Sequence, residues 1–145
     1  MNFIHKTFSE LTRDELYSLL QLRAEVFVVE QNCAYLDLDG KDADALHVLG
    51  YLNHTLVAYA RVFKPGIYFK NTAIGRVVVT KNERRDGYGL LLVRQAIAAA
   101  KQLDSGPITI SAQQYLEHFY QDLGFKTVSD MYLEDDIPHL EMLYL

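Results

Sequence analysis

Three consecutive valines, followed by a glycine-bearing loop and a helical pattern, restrict the fold of this chain more than any other feature. Val77, Val78 and Val79 end an apolar run that is typical of a buried strand, because β-branched side chains favour extended backbone. After Gly89, apolar residues recur at helical spacing, which predicts a helix over residues 90–103. The stretch therefore predicts a strand, a short loop and a helix in succession.

The loop between this strand and this helix has the chemistry of an anion site. The first amides of a helix have no intrahelical partner, and the helix dipole adds partial positive charge to them. Gly87 and Gly89 have no Cβ that would keep an anion from the backbone, and Arg84 and Arg85 add forked cationic donors. A tight turn before a packed helix is the alternative that the loop alone leaves open.

Two common phosphate-binding motifs do not match this loop. The dinucleotide fingerprint requires a third glycine three residues after the second, where this chain has Leu92. The ATP-binding loop ends in Gly-Lys-Ser or Gly-Lys-Thr, and neither follows here. The loop therefore belongs to neither of these classes of nucleotide-binding protein.

These residues resemble the acetyl-CoA-binding motif of the GNAT superfamily of N-acetyltransferases. The matching residues follow one another at the motif's spacing: Val77, Val79, Arg84, Gly87 and Gly89. Lys81 stands where proline is frequent in that superfamily. The resemblance implies an α/β fold of the acyl-CoA N-acyltransferase type, in which helices flank a mixed, twisted sheet.

The resemblance also implies which residues hold acetyl-CoA. In the superfamily the strand's backbone pairs with the pantetheine arm, and the loop amides bind the pyrophosphate. The residues so implied are Val77, Val78, Val79, Arg84, Arg85, Asp86, Gly87, Tyr88 and Gly89. The amide of Val78 or Val79 would polarise the thioester carbonyl.

Further matches are similar to the ElaA-like branch of this superfamily. They comprise residues 27–33, the Asp37-x-Asp39-Gly40-x-Asp42 loop, residues 111–113 and residues 137–139. Residues 119–125 resemble the tyrosine-containing last helix and the Gly-Phe turn of GNAT enzymes in general. Asp136 stands where that branch often has glycine. The resemblance covers residues 19–142, and we expect one GNAT domain over residues 1–145 because this length suits a single domain.

Composition and charge restrict the kinds of molecule that this protein can be expected to bind. The net charge of −5 and only 14 basic residues argue against a broad nucleic-acid surface. The first residues lack a signal peptide's apolar core, and no apolar run reaches the roughly 20 residues of a membrane span. We therefore expect a cytoplasmic protein that binds neither nucleic acid nor membrane, with a homodimer left open.

An acidic stretch at residues 37–44 contains four aspartates. Its glycine spacing and the missing distal glutamate do not match a calcium loop, so we expect no metal and a solvated acidic loop.

Cys33 is the only cysteine, which excludes an intrachain disulfide, and we expect it to act as a small buried hydrophobe.

The remaining segments predict alternating strands and helices. Strands are predicted at residues 3–8, 46–52, 55–63, 108–112 and 125–128, with a short edge strand at 67–69. Helices are predicted from about 12 to 27 and from about 114 to 123. Thr12 and Glu15 have the spacing of a capping box, which fixes where the first helix begins.

Acetyl transfer from a thioester to an amine requires an acid for the leaving thiolate and a base for the amine. Tyr120 is the candidate acid, because a phenol with a pKa near 10 can donate a proton, and the resemblance places it beside the coenzyme A sulfur. Tyr120 also lies on the apolar stripe of its helix, so the periodicity by itself fits a core residue.

The base has two equal candidates, Glu30 and His139. Glu30 lies among apolar residues, where burial would raise its pKa towards neutrality, and its alternative is a hydrogen-bonded structural carboxylate. The alternative for His139 is an ordinary surface histidine. His47 and Glu134 are candidates by residue type only, and deprotonation through water is also open.

The sequence thus predicts an N-acetyltransferase that moves the acetyl group of acetyl-CoA directly to an amine acceptor. Two other classes of protein remain compatible with the sequence. One is a non-catalytic acyl-CoA-binding regulatory protein that has the same coenzyme site. The other is a structural partner protein in which the glycine loop is only solvated.

Overall fold

A mixed sheet of eight strands forms the centre of the computed structural model, which describes residues 1–145. The strands are β1 (Asn2–Thr7), β2 (Leu46–Leu52), β3 (Thr55–Phe63), β4 (Thr72–Val79), β5 (Ile108–Gln113), β6 (Lys126–Thr127), β7 (Tyr132–Glu134) and β8 (Ile137–Tyr144). Their order is β1-β2-β3-β4-β5-β8-β6, and β7 pairs with β8. Only β4 and β5 run parallel. The predicted mixed α/β fold is confirmed.

Three α-helices accompany the sheet: α1 (Arg13–Arg23), α2 (Tyr88–Leu103) and α3 (Glu117–Asp122). The predicted capping box is present, since Thr12 Oγ1 accepts from the Glu15 amide at 3.1 Å and Glu15 Oε1 accepts from the Thr12 amide at 2.8 Å. A π-helical segment, Ala24–Glu30, continues α1, so the chain stays helical beyond the predicted end at residue 27. No helix has both the length and the apolarity that a membrane span needs.

The sheet lies between α1 and α2 because neighbouring strand residues point to opposite faces. Val48 on β2 packs in one core with Leu92 and Ala96 of α2. The next residue, Leu49, packs in a second core with Leu19 of α1. The two helices therefore cover opposite faces, and both hold β4 in place.

The chain between β3 and β4 differs from the prediction. Residues 67–69 are predicted as an edge strand, but the Gly66 amide donates to the Phe69 carbonyl at 2.8 Å, and Gly66 has φ +88°. A left-handed glycine followed by this bond reverses the chain. The predicted edge strand is therefore wrong, because the segment satisfies this bond locally instead of pairing with the sheet.

β4 and β5 separate after a short parallel start. They pair only at Thr72 with Ile108 and at Ala73 with Thr109. Further along, β4 remains paired with β3 on its other side, and β5 remains paired with β8. The edge of β4 that faces β5 is therefore left without a strand partner beyond Ala73.

A bulge lies in this same part of β4. Tyr59 pairs with Val78 and Arg61 pairs with Gly75, so two residues of β4 lie opposite one residue of β3. Arg76 within the bulge has φ +49°, a left-handed conformation that a non-glycine residue rarely adopts. Bulges re-aim backbone and side-chain groups, and they are frequent beside active sites.

Buried arginines neutralise the acidic loop. Arg23 and Arg61 are 0% and 1% exposed, and both bind Asp42, through Nη1 to Oδ1 at 2.7 Å and 3.0 Å. Arg61 Nη2 also donates to Asp39 Oδ2 at 2.7 Å, and Arg23 Nε donates to Asp37 Oδ2 at 2.8 Å. The expected solvated loop is therefore wrong, because these aspartates pair with arginines from distant parts of the chain.

The loop gives the fold an acid-sensitive carboxylate. Burial alone would raise the pKa of Asp39, but hydrogen bonds from Arg61 and the Lys41 amide, together with the arginine charges, lower it to about 2 from the ordinary 3.8. A carboxylate with a depressed folded-state pKa stabilises the fold above its unfolded pKa, and this stability is lost as the pH falls through the folded pKa. We expect urea unfolding to show this loss between about pH 4 and pH 2, and the loss should be smaller in Asp39→Asn. Equal losses in both proteins would contradict this assignment.

Candidate active site

A cavity of about 490 Å³ occupies the gap between β4 and β5. Residues 73–79 of β4 line one side and residues 110–113 of β5 line the other, while the π-helical segment, α3 and the β7–β8 turn contribute the remaining walls. The sequence-predicted site residues that line it are Glu30, Val77, Val78, Val79, Arg84, Gly89, Tyr120 and His139. The other predicted residues, which lie beside the cavity in the loop and at the start of α2, are Arg85, Asp86, Gly87 and Tyr88.

The N-terminus of α2 leaves backbone amides available. The Leu91 amide donates to the Gly87 carbonyl at 3.3 Å, so the amides of Tyr88, Gly89 and Leu90 precede the hydrogen-bond ladder of the helix. Gly87 has φ +75°, and a Cβ built there meets no atom within 4 Å. The backbone at this position is therefore open to an approaching anion, and the turn itself requires a left-handed residue.

Arg84 is held by a carboxylate on the opposite wall. Its Nη1 and Nη2 donate to the two oxygens of Glu30 at 2.6 Å and 2.8 Å, and its Nε donates to the Val79 carbonyl at 3.0 Å. Two parallel charge-assisted bonds of this kind define one orientation for both side chains. The pair joins the π-helical segment to the loop that precedes α2.

This pairing corrects the expectation for Glu30. The hydrogen bond from Arg84 is the largest influence on the Glu30 carboxyl and lowers its pKa, and the opposing effect of burial is weaker. The predicted rise in the pKa of Glu30 is therefore wrong, because the carboxylate faces a guanidinium across the cavity wall and not an apolar environment. The role of Glu30 as a base stays a prediction.

Tyr120 is at once a core residue and part of the cavity wall. It is 6% exposed, and its ring meets those of Phe119 and Phe125 edge-on, with centroids 5.1 Å and 5.7 Å away. Burial raises the pKa of its phenol. The hydroxyl therefore keeps its proton at neutral pH, which is the state that a proton donor requires.

His139 lies in the cavity wall and is only 6% exposed, so its interpretation as an ordinary surface histidine is wrong. Its Nδ1 donates to the Ile137 carbonyl at 2.7 Å, and its Nε2 lies 3.4 Å from Glu134 Oε2. The ring stacks on that of Tyr132 at a centroid distance of 6.2 Å. Sheet pairing explains this burial, because His139 lies between Gln113 of β5 and Tyr132 of β7.

Two polar residues of the same wall are absent from the sequence-based candidates. Ser111 and Tyr132 hydrogen-bond through their hydroxyls, and Ser111 Oγ donates to Glu134 Oε1 at 3.4 Å. Thr109 and Gln113 of β5 are also polar, so the strand pattern does not single out Ser111, and its one local signal is its place in the ElaA-like match at residues 111–113. Tyr132 has no such signal, because the pairing of β7 with β8 brings it here.

His47, a candidate base by residue type, belongs to the fold and not to the cavity. Both ring nitrogens are engaged, Nδ1 with the Tyr59 hydroxyl and Nε2 with the Asp42 carbonyl. Burial lowers its pKa. The ring therefore links the acidic loop to β2 and β3, and it is fully buried.

The sequence of this chain is similar to one family model and to proteins from several organisms. A family model described as an acetyltransferase (GNAT) domain matches residues 13–145. Protein ElaA of Escherichia coli (strain K12) is 44% identical over 137 residues, which is 92% of this chain and 90% of ElaA. A UPF0039 protein of Schizosaccharomyces pombe is 45% identical over 145 residues, which is 98% of this chain and 95% of that protein.

Solved structures agree with these sequence matches. The crystal structure of Escherichia coli ElaA has a TM-score of 0.93 at 40% identity, and 99% of each chain is covered. An acyl-CoA N-acyltransferase from Pseudomonas aeruginosa has a TM-score of 0.92 at 42% identity, with all of both chains covered. The fold and the ElaA-like resemblance inferred from the sequence are confirmed.

Proposed function

Because this chain belongs to the GNAT acetyltransferase family, we propose that it transfers the acetyl group of acetyl-CoA directly to an amine acceptor. The observation that carries the proposal is the unpaired edge of β4, which borders the cavity and leads to the amides at the start of α2. An extended thioester arm fits such an edge, because its amide groups can pair with backbone as a strand would. The Pseudomonas aeruginosa relative is described as an acyl-CoA N-acyltransferase, which agrees with this reading.

The coenzyme would lie along β4 with its pyrophosphate at α2. In this arrangement the amides of Val77 and Val79 bind the pantetheine arm. The pyrophosphate takes the free amides at Tyr88 and Gly89, where the helix dipole favours negative charge. Arg84, Arg85 and the neighbouring loop add charge-assisted contacts.

The transfer step requires one bond to form and one to break. The amine nitrogen attacks the thioester carbonyl, and the amide of Val78 or Val79 stabilises the developing oxyanion. The carbon–sulfur bond then breaks, and Tyr120 gives its proton to the leaving thiolate. His139 is favoured over Glu30 as the acceptor of the amine proton, because both oxygens of Glu30 are engaged by Arg84.

The decisive experiment is an acetylation screen with two readouts. The protein is given acetyl-CoA and a panel of peptide N-termini, lysine peptides, polyamines and small amines. Release of free thiol measures turnover, and mass spectrometry identifies an acceptor that has gained an acetyl group. Binding of coenzyme A without thiol release on any amine would support the non-catalytic regulatory protein instead.

Charge reversal in the loop should weaken coenzyme binding. We expect Arg84→Glu and Arg85→Glu each to raise the Kd for acetyl-CoA by about 10- to 100-fold, since a hydrogen bond to a charged group contributes about 1.5–3 kcal/mol. Isothermal titration calorimetry measures the change. Glu30→Gln is the matched control, because it releases Arg84 without removing its charge and should not weaken binding. Unchanged Kd values in both reversals would remove the arginines from the site.

Three further parts of the proposal concern the protein as a whole. We expect residues 1–145 to act as one GNAT domain, and we expect the protein to work in the cytoplasm. A homodimer is left open, and sedimentation velocity of the purified protein would determine its oligomeric state.

A further inference from the structure

A cluster of polar side chains in mutual contact lies at the β5–β8–β7 end of the cavity. It contains Ser111 of β5, Tyr132 and Glu134 of β7, and His139 of β8. Resting on the acetyl transfer proposed above, we propose that Glu134 is a positioning residue, which holds the His139 ring and stabilises it as it accepts the proton of the acceptor amine.

The hydrogen bonds of His139 assign its protons. The Ile137 carbonyl can only accept, so the Nδ1 atom at 2.7 Å from it must carry a hydrogen. In the neutral ring, Nε2 is then the nitrogen with the free lone pair. This lone pair is the one site on the ring that can take a proton, and it lies on the side of the carboxylate.

Glu134 stabilises only the protonated form of that nitrogen. Its Oε2 lies 3.4 Å from Nε2, and an ionised carboxylate is an acceptor, so it has no hydrogen to offer a neutral ring. Once the amine proton reaches Nε2, the imidazolium and the carboxylate carry opposite charges 3.4 Å apart and attract each other. The nitrogen of the acceptor keeps its electron pair for the bond to the acetyl carbon. The carboxylate therefore drives proton transfer in the direction that the reaction needs.

The other members of the cluster hold Glu134 in place. Ser111 Oγ lies 3.4 Å from Oε1, so the two carboxylate oxygens face different partners. The Tyr132 hydroxyl holds Ser111, and the Tyr132 ring stacks on His139. The two-residue turn after Glu134 has φ +51° at Asp135 and +61° at Asp136, which brings β7 back against β8.

Other ionisable groups also surround this cluster. Arg76 of β4 is paired with Asp37, with Nε and Oδ1 2.8 Å apart. Nearby ionisable side chains include Cys33, Tyr35, Asp39, Lys41, Tyr68, Asp135 and Glu141. Glu134 is the carboxylate that lies within 4 Å of a His139 ring nitrogen, so it is the charge best placed to act on His139.

The test compares Glu134→Gln with Asp136→Asn, which removes one negative charge from the same turn without touching the ring. The glutamine side chain carries no charge. Its amide group can donate a hydrogen bond to Nε2 of His139, and this bond would occupy the lone pair of that nitrogen. We expect kcat to fall about tenfold, part of the roughly 10²- to 10⁴-fold that a general base contributes, with the KM for acetyl-CoA unchanged. Asp136→Asn should keep the wild-type kcat. An unchanged kcat in Glu134→Gln overturns the inference.

A second readout, the NMR signal of the His139 ring, does not depend on acetyl transfer. Nitrogen-15 NMR of the histidine rings should show the His139 Nε2 signal moving in Glu134→Gln and staying in place in Asp136→Asn, with His139→Ala assigning the signal. A signal that does not move in Glu134→Gln overturns the inference. A moved signal in a protein that releases no thiol with any amine supports the positioning contact and overturns only the proposed acetyl transfer.

Discussion

Tyr120→Phe is expected to slow acetyl transfer about 100-fold or more, since general acid catalysis contributes roughly 10²- to 10⁴-fold. Burial raises the pKa of this phenol, so the hydroxyl keeps its proton throughout the neutral range. Phenylalanine fills the same volume against Phe119 and Phe125, so the packing of the wall should survive. Steady-state kinetics should therefore show a lower kcat with little change in the Kd for acetyl-CoA.

The matched control for this variant is Tyr17→Phe, because Tyr17 lies on α1 with 74% of its surface exposed. The same hydroxyl is removed there without touching the cavity, and we expect wild-type kcat. Thermal unfolding of both variants separates a catalytic effect from a loss of structure. A Tyr120→Phe enzyme with wild-type turnover would remove Tyr120 from the mechanism and leave it as a core residue only.

Asp37→Ala should produce the largest loss of stability. The Asp37 carboxylate binds Arg23 Nε at 2.8 Å and lies 2.8 Å from Arg76 Nε, while Arg23 is 0% exposed. Removing one partner of a buried ion pair typically costs about 3–5 kcal/mol. Arg23 keeps its bond to Asp42, but its Nε loses the Asp37 carboxylate, and so does Arg76 Nε. We expect a decrease of that size in the free energy of unfolding, measured by urea denaturation at neutral pH.

Asp44→Ala is the matched control for this loss. Asp44 belongs to the same loop and its side chain is exposed, but it takes part in none of the ion pairs with Arg23, Arg61 or Arg76. Its free energy of unfolding should stay within about 0.5 kcal/mol of wild type, as for most surface substitutions. Similar losses in the two variants would mean that the loop contributes through its backbone and not through the buried ion pairs.

Sequence patterns formed by residues that are close together along the chain predicted much of the fold. The capping box of Thr12 and Glu15 gave the start of α1, since both partners lie within one turn. The strands predicted at residues 46–52 and 55–63 leave Asn53 and His54 for the turn between β2 and β3, and these two residues have φ +50° and +66°. The apolar stripe of α2 gave both its position and its buried face. Each of these features depends on residues that are close in the sequence.

Other features of the site depend on residues that are far apart in the sequence, and these were predicted poorly. Burial alone suggested a raised pKa for Glu30, but its partner Arg84 lies 54 positions away in the sequence. The contact between Ser111 and Glu134 depends on the pairing of β8 with both β5 and β7. No short window of sequence contains both members of such pairs, so neither local pattern nor residue type could identify them.

The sequence by itself determined the strand, the glycine loop and the helix at which we propose that the coenzyme binds, because spacing along one continuous stretch sets these elements. Only the tertiary structure decided that β4 and β5 separate after Ala73 and leave a cavity between them. The physical reason is competition for strand partners. β3 holds β4 on one side and β8 holds β5 on the other, so the two strands diverge, and the free edge of β4 becomes available to a ligand.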